Sequence, residues 1–142
     1  MTAAIPKNSN YYILQVMKIR KEQMTVFTEQ QEKIFRGRLE EILLQDYPDD
    51  CEELGDDLGI VIDLGLKQAR SYGIIREKDI GLYFDVMFCL AYNFDTNPDY
   101  PWARQILEDG NLSGTQKVER VAKVAEKVLE RLESDDAKPS AD

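Results

Sequence analysis

Carboxylates are the most abundant reactive side chains in this sequence, and two of them stand where a carboxylate is costly. Asp63 and Asp85 each interrupt an apolar helical run. An unpaired buried carboxylate is expensive, so each needs a partner. Arg36, Arg38 and Arg70 are the candidates, and a structural ion pair is the expected arrangement. The rival reading is a general acid facing a second carboxylate, as in glycoside hydrolysis. Little else in the chain supports it. There is no histidine, which removes Ser-His-Asp and Cys-His nucleophile arrangements and every His-based zinc site. The glycines fall within helical patterns or at helix ends, without GxGxxG or Walker spacing. The residues therefore point to a protein that is not an enzyme and carries no cofactor.

Asp95, Asn97 and Asp99 mimic the first three ligand positions of a calcium loop. The rest of that loop is missing: Tyr100 stands where the turn glycine belongs and Ile106 where the bidentate Glu belongs. Asx side chains bonding their own backbone, and capping a helix that starts at Trp102, account for these residues without a metal. Cys51 and Cys89 form no CxxC pair and are expected as buried, reduced thiols.

The element that must position these groups is the stretch Ile80 to Trp102, which holds seven of the thirteen aromatic residues. Apolar side chains at 80, 83, 84, 87, 88, 91 and 94 form one broad helical face, and Leu82, Val86 and Leu90 make the opposite face apolar too. A helix apolar nearly all round is a central, buried one. Phe88, at its middle, is expected in the core. Before it, residues 20–45 carry Met24, Phe27, Ile34, Phe35, Leu39, Ile42 and Leu43 at amphipathic spacing, ended by Tyr47-Pro48. Asp50 with Glu53 reads as a capping box for a second helix with Leu54, Leu58, Val61, Ile62, Leu66 and Ala69 inward. Gly55, Gly59 and Gly65 within it suggest close backbone packing, and Gly73 is a natural left-handed cap. The central helix is expected over Glu77–Phe94 and a short one over Trp102–Glu108. A last helix opens on the capping box Ser113–Gln116, with Val118, Val121, Ala122, Ala125, Val128, Leu129 and Leu132 on one stripe. The reading is all-α: a single-domain bundle of about five helices around the central apolar one. It places a flexible lead-in at 1–19 (with YYILQV β-prone), the helical domain at 20–134 and a disordered polar tail at 135–142.

A chain of 142 residues that is 43% hydrophobic and 32% charged has the size and composition of one soluble domain. No apolar run approaches the roughly 20 residues needed to span a bilayer. The opening MTAAIPKNSN lacks the regions of a signal peptide, so a cytoplasmic location is expected. A net charge of −9 argues against nucleic acid or an anionic membrane as partner. The charge is uneven, with eight acids and no base over residues 46–63. That segment reads as a solvated face or as a docking face for a basic protein. Asp56 and Asp57 lie beyond the first helical turn, where the macrodipole best compensates acids, so they are candidate partner-binding residues. Tyr100 and Trp102, at a corner bracketed by two prolines, are the aromatic candidates.

Three pieces of the sequence resemble a known group: Arg70-Ser-Tyr-Gly-Ile74, then Asp79-Ile80, then Phe94-Asp-Thr-Asn-Pro-Asp-Tyr-Pro-Trp-Ala103 leading into Ile106-Leu107. Over roughly residues 24–132 the chain resembles small helical bacterial proteins encoded near type VI secretion effector, adaptor and spike genes. The resemblance implies a chaperone or co-adaptor that holds a secreted toxin or effector in the producing cell. An immunity protein neutralising a cognate toxin is the alternative it implies. It supplies no catalytic residues. A small enzyme using paired carboxylates, or a structural oligomer built on the Val118–Leu132 stripe, are the rivals from other classes.

Because the Asp95–Asp99 loop lacks both its glycine and its bidentate acid, titration calorimetry with calcium should detect no specific binding. A micromolar constant that disappears in Asp95→Ala would contradict this.

Overall fold

The computed structural model describes residues 29–137, with side chains through 134. Among the described residues the chain is all-α, with turns and no strand. The helices are α1 (29–46), α2 (Pro48–Leu54), α3 (Leu58–Ser71), α4 (Glu77–Cys89), α5 (Pro101–Leu107) and α6 (Gly114–Ala137), with a 3₁₀ turn at Gly55–Asp57. By contact density the chain divides into two compact units, Met1–Glu41 and Ile42–Asp142. The core around α4 lies in the second, and Phe35 and Leu39 of α1 belong to the first. The expected lead-in at 1–19, and the start of the first helix with Met24 and Phe27, lie outside the described residues. The tail is corrected at its start, since α6 continues through Ala137; residues 138–142 lie outside the description.

The buried stripe of α1 is Phe35, Leu39 and Leu43, spaced four apart. Ile34 and Ile42, both expected inside, are 56% and 50% exposed. Each is one residue off that stripe, about 100° around the helix, which is enough to turn it outward. The second expected helix is broken in two. Pro48 opens α2 at its first turn, where its missing N–H costs nothing, so Asp50 and Glu53 form no capping box. Gly55 then takes φ +54°, a left-handed backbone that ends α2 and lets the 3₁₀ turn lead into α3.

The end of α3 follows the expected form closely. Gly73 sits at φ +80°, its N–H donates to the Arg70 carbonyl, and the Ile74 N–H donates to the Ala69 carbonyl. This pair of bonds is the Schellman arrangement, and Ile74, its apolar partner residue, is fully buried. The capping box of α6 is also as read: Ser113 Oγ accepts from the Gln116 N–H at 3.1 Å, and Gln116 Oε1 accepts from the Ser113 N–H at 2.9 Å.

Helix α4 packs against α3 and α6, and α5 packs on α6. Tyr83, Phe84, Ile80 and Met87 fill the space between them. Two glycines set how closely these helices approach. A Cβ on Gly65 would fall 2.7 Å from Phe84 Cε1 and 2.8 Å from Met87 Sδ. A Cβ on Gly114 would collide with the Gly73 carbonyl and lie 3.0 Å from Ile74 Cα. The start of α6 therefore rests directly on the turn that ends α3. Close packing thus explains Gly65, whereas Gly55 serves its left-handed backbone.

Helix α4 ends at Cys89, five residues short of the expected Phe94. Past Leu90 the Phe94 N–H donates to the Ala91 carbonyl, a turn bond to the third residue back in place of the helical bond to the fourth. The turn folds Phe94 back onto Tyr83, with ring centroids 4.9 Å apart, and buries it completely. Phe88, expected in the core, is instead half-buried; Phe84 holds the central place.

Gly114→Ala should lose about 3 kcal/mol, near the top of the range for overpacking, because backbone cannot step aside. Gly65→Ala should lose about 1–3 kcal/mol, since the Phe84 ring can tilt slightly. Gly81→Ala, within α4 with open space at its Cβ, should gain about 0.5–1 kcal/mol. Urea melts of the three variants check this order.

Candidate functional site

The buried polar groups come first, because they separate structure from site. Asp79 and Asp95 are the buried carboxylates, at 5% and 4% exposure. Asp79 Oδ2 accepts from Thr115 Oγ1 at 2.6 Å, tying the first turn of α4 to the first turn of α6. Asp95 Oδ2 accepts from the Tyr72 hydroxyl at 2.7 Å, while among the described residues no donor reaches its buried Oδ1. Tyr83 donates to Gln68 Oε1 at 2.9 Å, and Lys117 Nζ donates to the Tyr72 carbonyl at 3.1 Å. Each of these bonds joins residues far apart in sequence, so together they brace α3, α4, α6 and the turn after α4. Asp95 is thus a structural group under Tyr72, not an Asx cap. Asn97 does make the expected Asx turn, accepting from the Asp99 N–H at 2.9 Å.

The carboxylates singled out from sequence sit elsewhere. Asp63 is exposed on α3, since the inward stripe of that helix is Val61, Ile62, Leu66 and Ala69 and position 63 falls outside it. Asp85 is half-buried and accepts from the Tyr47 hydroxyl at 2.9 Å. Burial is the main cause that raises the Asp85 carboxyl above its usual range; the Tyr47 bond opposes this and the nearby Asp46 charge adds to it. Cys51 is buried as expected, but Cys89 is exposed, and its sulfur lies 3.7 Å from the Tyr47 hydroxyl.

Around Asp85 the end of α4 presents an aromatic ladder. Tyr47 packs on Phe88 with centroids 5.1 Å apart, and Phe88 meets Tyr92 edge-on at 5.2 Å. All three are half-buried. Phe88 and Tyr92 line an open groove of about 490 Å³, together with Asp50, Leu64, Met87, Leu90, Ala91 and Asn93. Among the described residues of that lining, Asp50 is the charged one. Beside it on α3, Leu64 and Ile60 are 42% and 67% exposed. A sequence signal for this groove existed in the tight clustering of Phe88, Leu90, Ala91 and Tyr92, but it reads equally well as core.

The expected partner-binding residues fall on two surfaces. Asp56 and Asp57 are exposed on the 3₁₀ turn between α2 and α3. Tyr100 and Trp102 open α5, half-buried, with their rings edge-to-face at 6.0 Å. The acid pair and the aromatic pair are each brought together, but neither lines the groove. Beside α5, a second groove of about 390 Å³ is lined by Thr96, Asn97, Pro98, Pro101, Arg104, Gln105 and Glu108. Its charges satisfy each other, as Arg104 Nε lies 3.0 Å from Glu108 Oε1.

Among the described residues no three His, Cys, Asp or Glu side chains converge as a metal site. No described helix is long and apolar enough to cross a membrane. Comparison with protein-family models, characterised proteins and solved structures finds no match. The geometry itself therefore bears the functional reading: an apolar and aromatic groove beside a base-free acidic segment.

The tyrosines give this arrangement a pH signature. Burial, first of all, raises the Tyr83 hydroxyl well above its ordinary value, with the charge of Asp95 adding to it. Tyr72 is raised by burial and then by its bond to Asp95. A raised folded-state value means stability present below the unfolded value of about 10 and lost as pH climbs past it. Unfolding midpoints should therefore fall above about pH 10, and less steeply in Tyr83→Phe. For Asp85 the same sign applies at acid pH: its contribution is present below about 3.9 and lost as pH rises through its folded value. Asp85→Asn, which keeps an acceptor for Tyr47, should raise the midpoint at neutral pH and leave it unchanged near pH 3. Thermal melts across pH check both; a neutral Asp85→Asn effect would contradict the carboxylate's desolvation.

Proposed function

We propose that this chain is a protein-binding accessory factor, a chaperone or co-adaptor that holds a secreted toxin or effector in the producing bacterial cell. The observation that carries the reading is the surface of α2 to α4. Eight acids and no base lie between Asp46 and Asp63, and Ile60, Leu64, Phe88 and Tyr92 stay partly exposed alongside them. Aromatic and aliphatic anchors supply affinity in protein interfaces, and surrounding charge steers encounter. The resemblance of the Arg70–Ile74 and Phe94–Ala103 segments to proteins encoded near type VI secretion genes supports the choice of partner.

Affinity purification from the native host identifies the partner, and its activity measured with this chain bound separates storage from neutralisation. On the acidic segment, Asp56→Lys with Asp57→Lys should slow association with that partner several-fold, most at low salt. Folding should be nearly unchanged, because exposed charges contribute little to stability. Equal on-rates for wild type and double variant at two ionic strengths would leave the 3₁₀ turn as solubilising surface.

A further inference from the structure

The groove at the end of α4 has features that select its occupant. Its floor is apolar, from Leu64, Met87, Phe88, Leu90 and Ala91. Among the described residues its lining carries charge of one sign: Asp50 lines it, with no Lys or Arg in that lining, and Asp50 and Glu53 act on the Tyr92 hydroxyl. Its rings Phe88 and Tyr92 stand 5.2 Å apart, and Tyr47, outside the lining, packs on Phe88 at 5.1 Å. Aromatic faces next to carboxylates attract the cationic heads of Lys and Arg, whose methylene stems pack on the rings. Among the described residues there is no strand, so an extended segment finds no sheet edge to extend. A groove between helices takes the apolar face of another helix.

We infer that this groove binds a basic amphipathic helix of the partner protein, its apolar stripe on Leu64, Phe88 and Leu90 and its Lys or Arg side chains over Tyr92, Asp50 and Glu53. This rests on the protein-binding reading and names the part of the partner that is held. The contrast with the groove beside α5 supports it, because there Arg104 already neutralises Glu108.

The test uses the full chain and three labelled peptides about four helical turns long. One carries Leu on one face and Lys on the other, a second replaces Leu with Gln, and a third replaces Lys with Glu. Fluorescence anisotropy should show the Leu/Lys peptide binding at least tenfold tighter than either control. Binding should weaken about tenfold in Leu64→Lys and in Asp50→Lys. Both positions are at least partly exposed, and unchanged melting confirms their fold. Amide shifts on titration should gather at Leu64, Leu90, Ala91 and Asn93. Equal binding of the Gln/Lys peptide, or of the Leu/Lys peptide to both variants, would overturn the inference. The host purification separates the two levels. A partner retained by Leu64→Lys as by wild type overturns the groove and leaves the accessory reading standing. If wild type retains no specific partner, the accessory reading itself fails, whatever the peptides do.

Discussion

The contact on which the rest of this unit depends is the seat of Phe84 and Met87 over Gly65. With no side chain at 65, α4 lies directly against α3, and any added carbon would meet the Phe84 ring. Burying an aromatic of this size contributes a few kcal/mol, and shape complementarity fixes its orientation. Once Phe84 points at α3, helical geometry decides the rest of α4. Ile80, Tyr83 and Met87 share its buried side, and Phe88, one residue further round, emerges at the edge. The same constraint that builds the core therefore leaves an aromatic partly in solvent beside Asp50 and Asp85.

The opposite end of α4 is held by different means. Asp79 bonds Thr115 across to α6, and Gly114 rests on the turn that caps α3. A buried hydrogen bond to a charged group contributes more than a neutral one and leaves a costly orphan when broken. Apolar packing at the middle, a polar clasp at the start and a half-open groove at the end give α4 a graded environment. Its fixed start anchors the helix whose other end borders the groove.

Much of this was legible in the sequence wherever the signal is local. The capping box at Ser113 and Gln116, the left-handed cap at Gly73 and the inward stripe of α3 each rest on residues within a few positions of one another. What depends on distant approach was not. Gly114 is ordinary until the Gly73 turn is placed under it. Asp79 and Asp95 look like surface acids beside a helix and in a loop, whereas Asp63 and Asp85 interrupt apolar runs and so appeared buried. Only packing shows that Thr115 and Tyr72 cover the first two. Phe84 and Phe88 likewise sit on one apolar face, and periodicity alone gives no reason to prefer either. The candidate site suffered most, because a groove is a gap between elements and its lining comes from α2, α3, α4 and the turn beyond.

The proposed interface is the acidic, aromatic end of α4. Zero-length carbodiimide cross-linking of the purified complex, read by mass spectrometry, tests it most directly, because that chemistry joins carboxylates only to amines in contact with them. Links are expected from Asp50 and Glu53 to lysines of the partner. Links confined to the lysines of α6, such as Lys123 and Lys127, with none from Asp50 or Glu53, would contradict it.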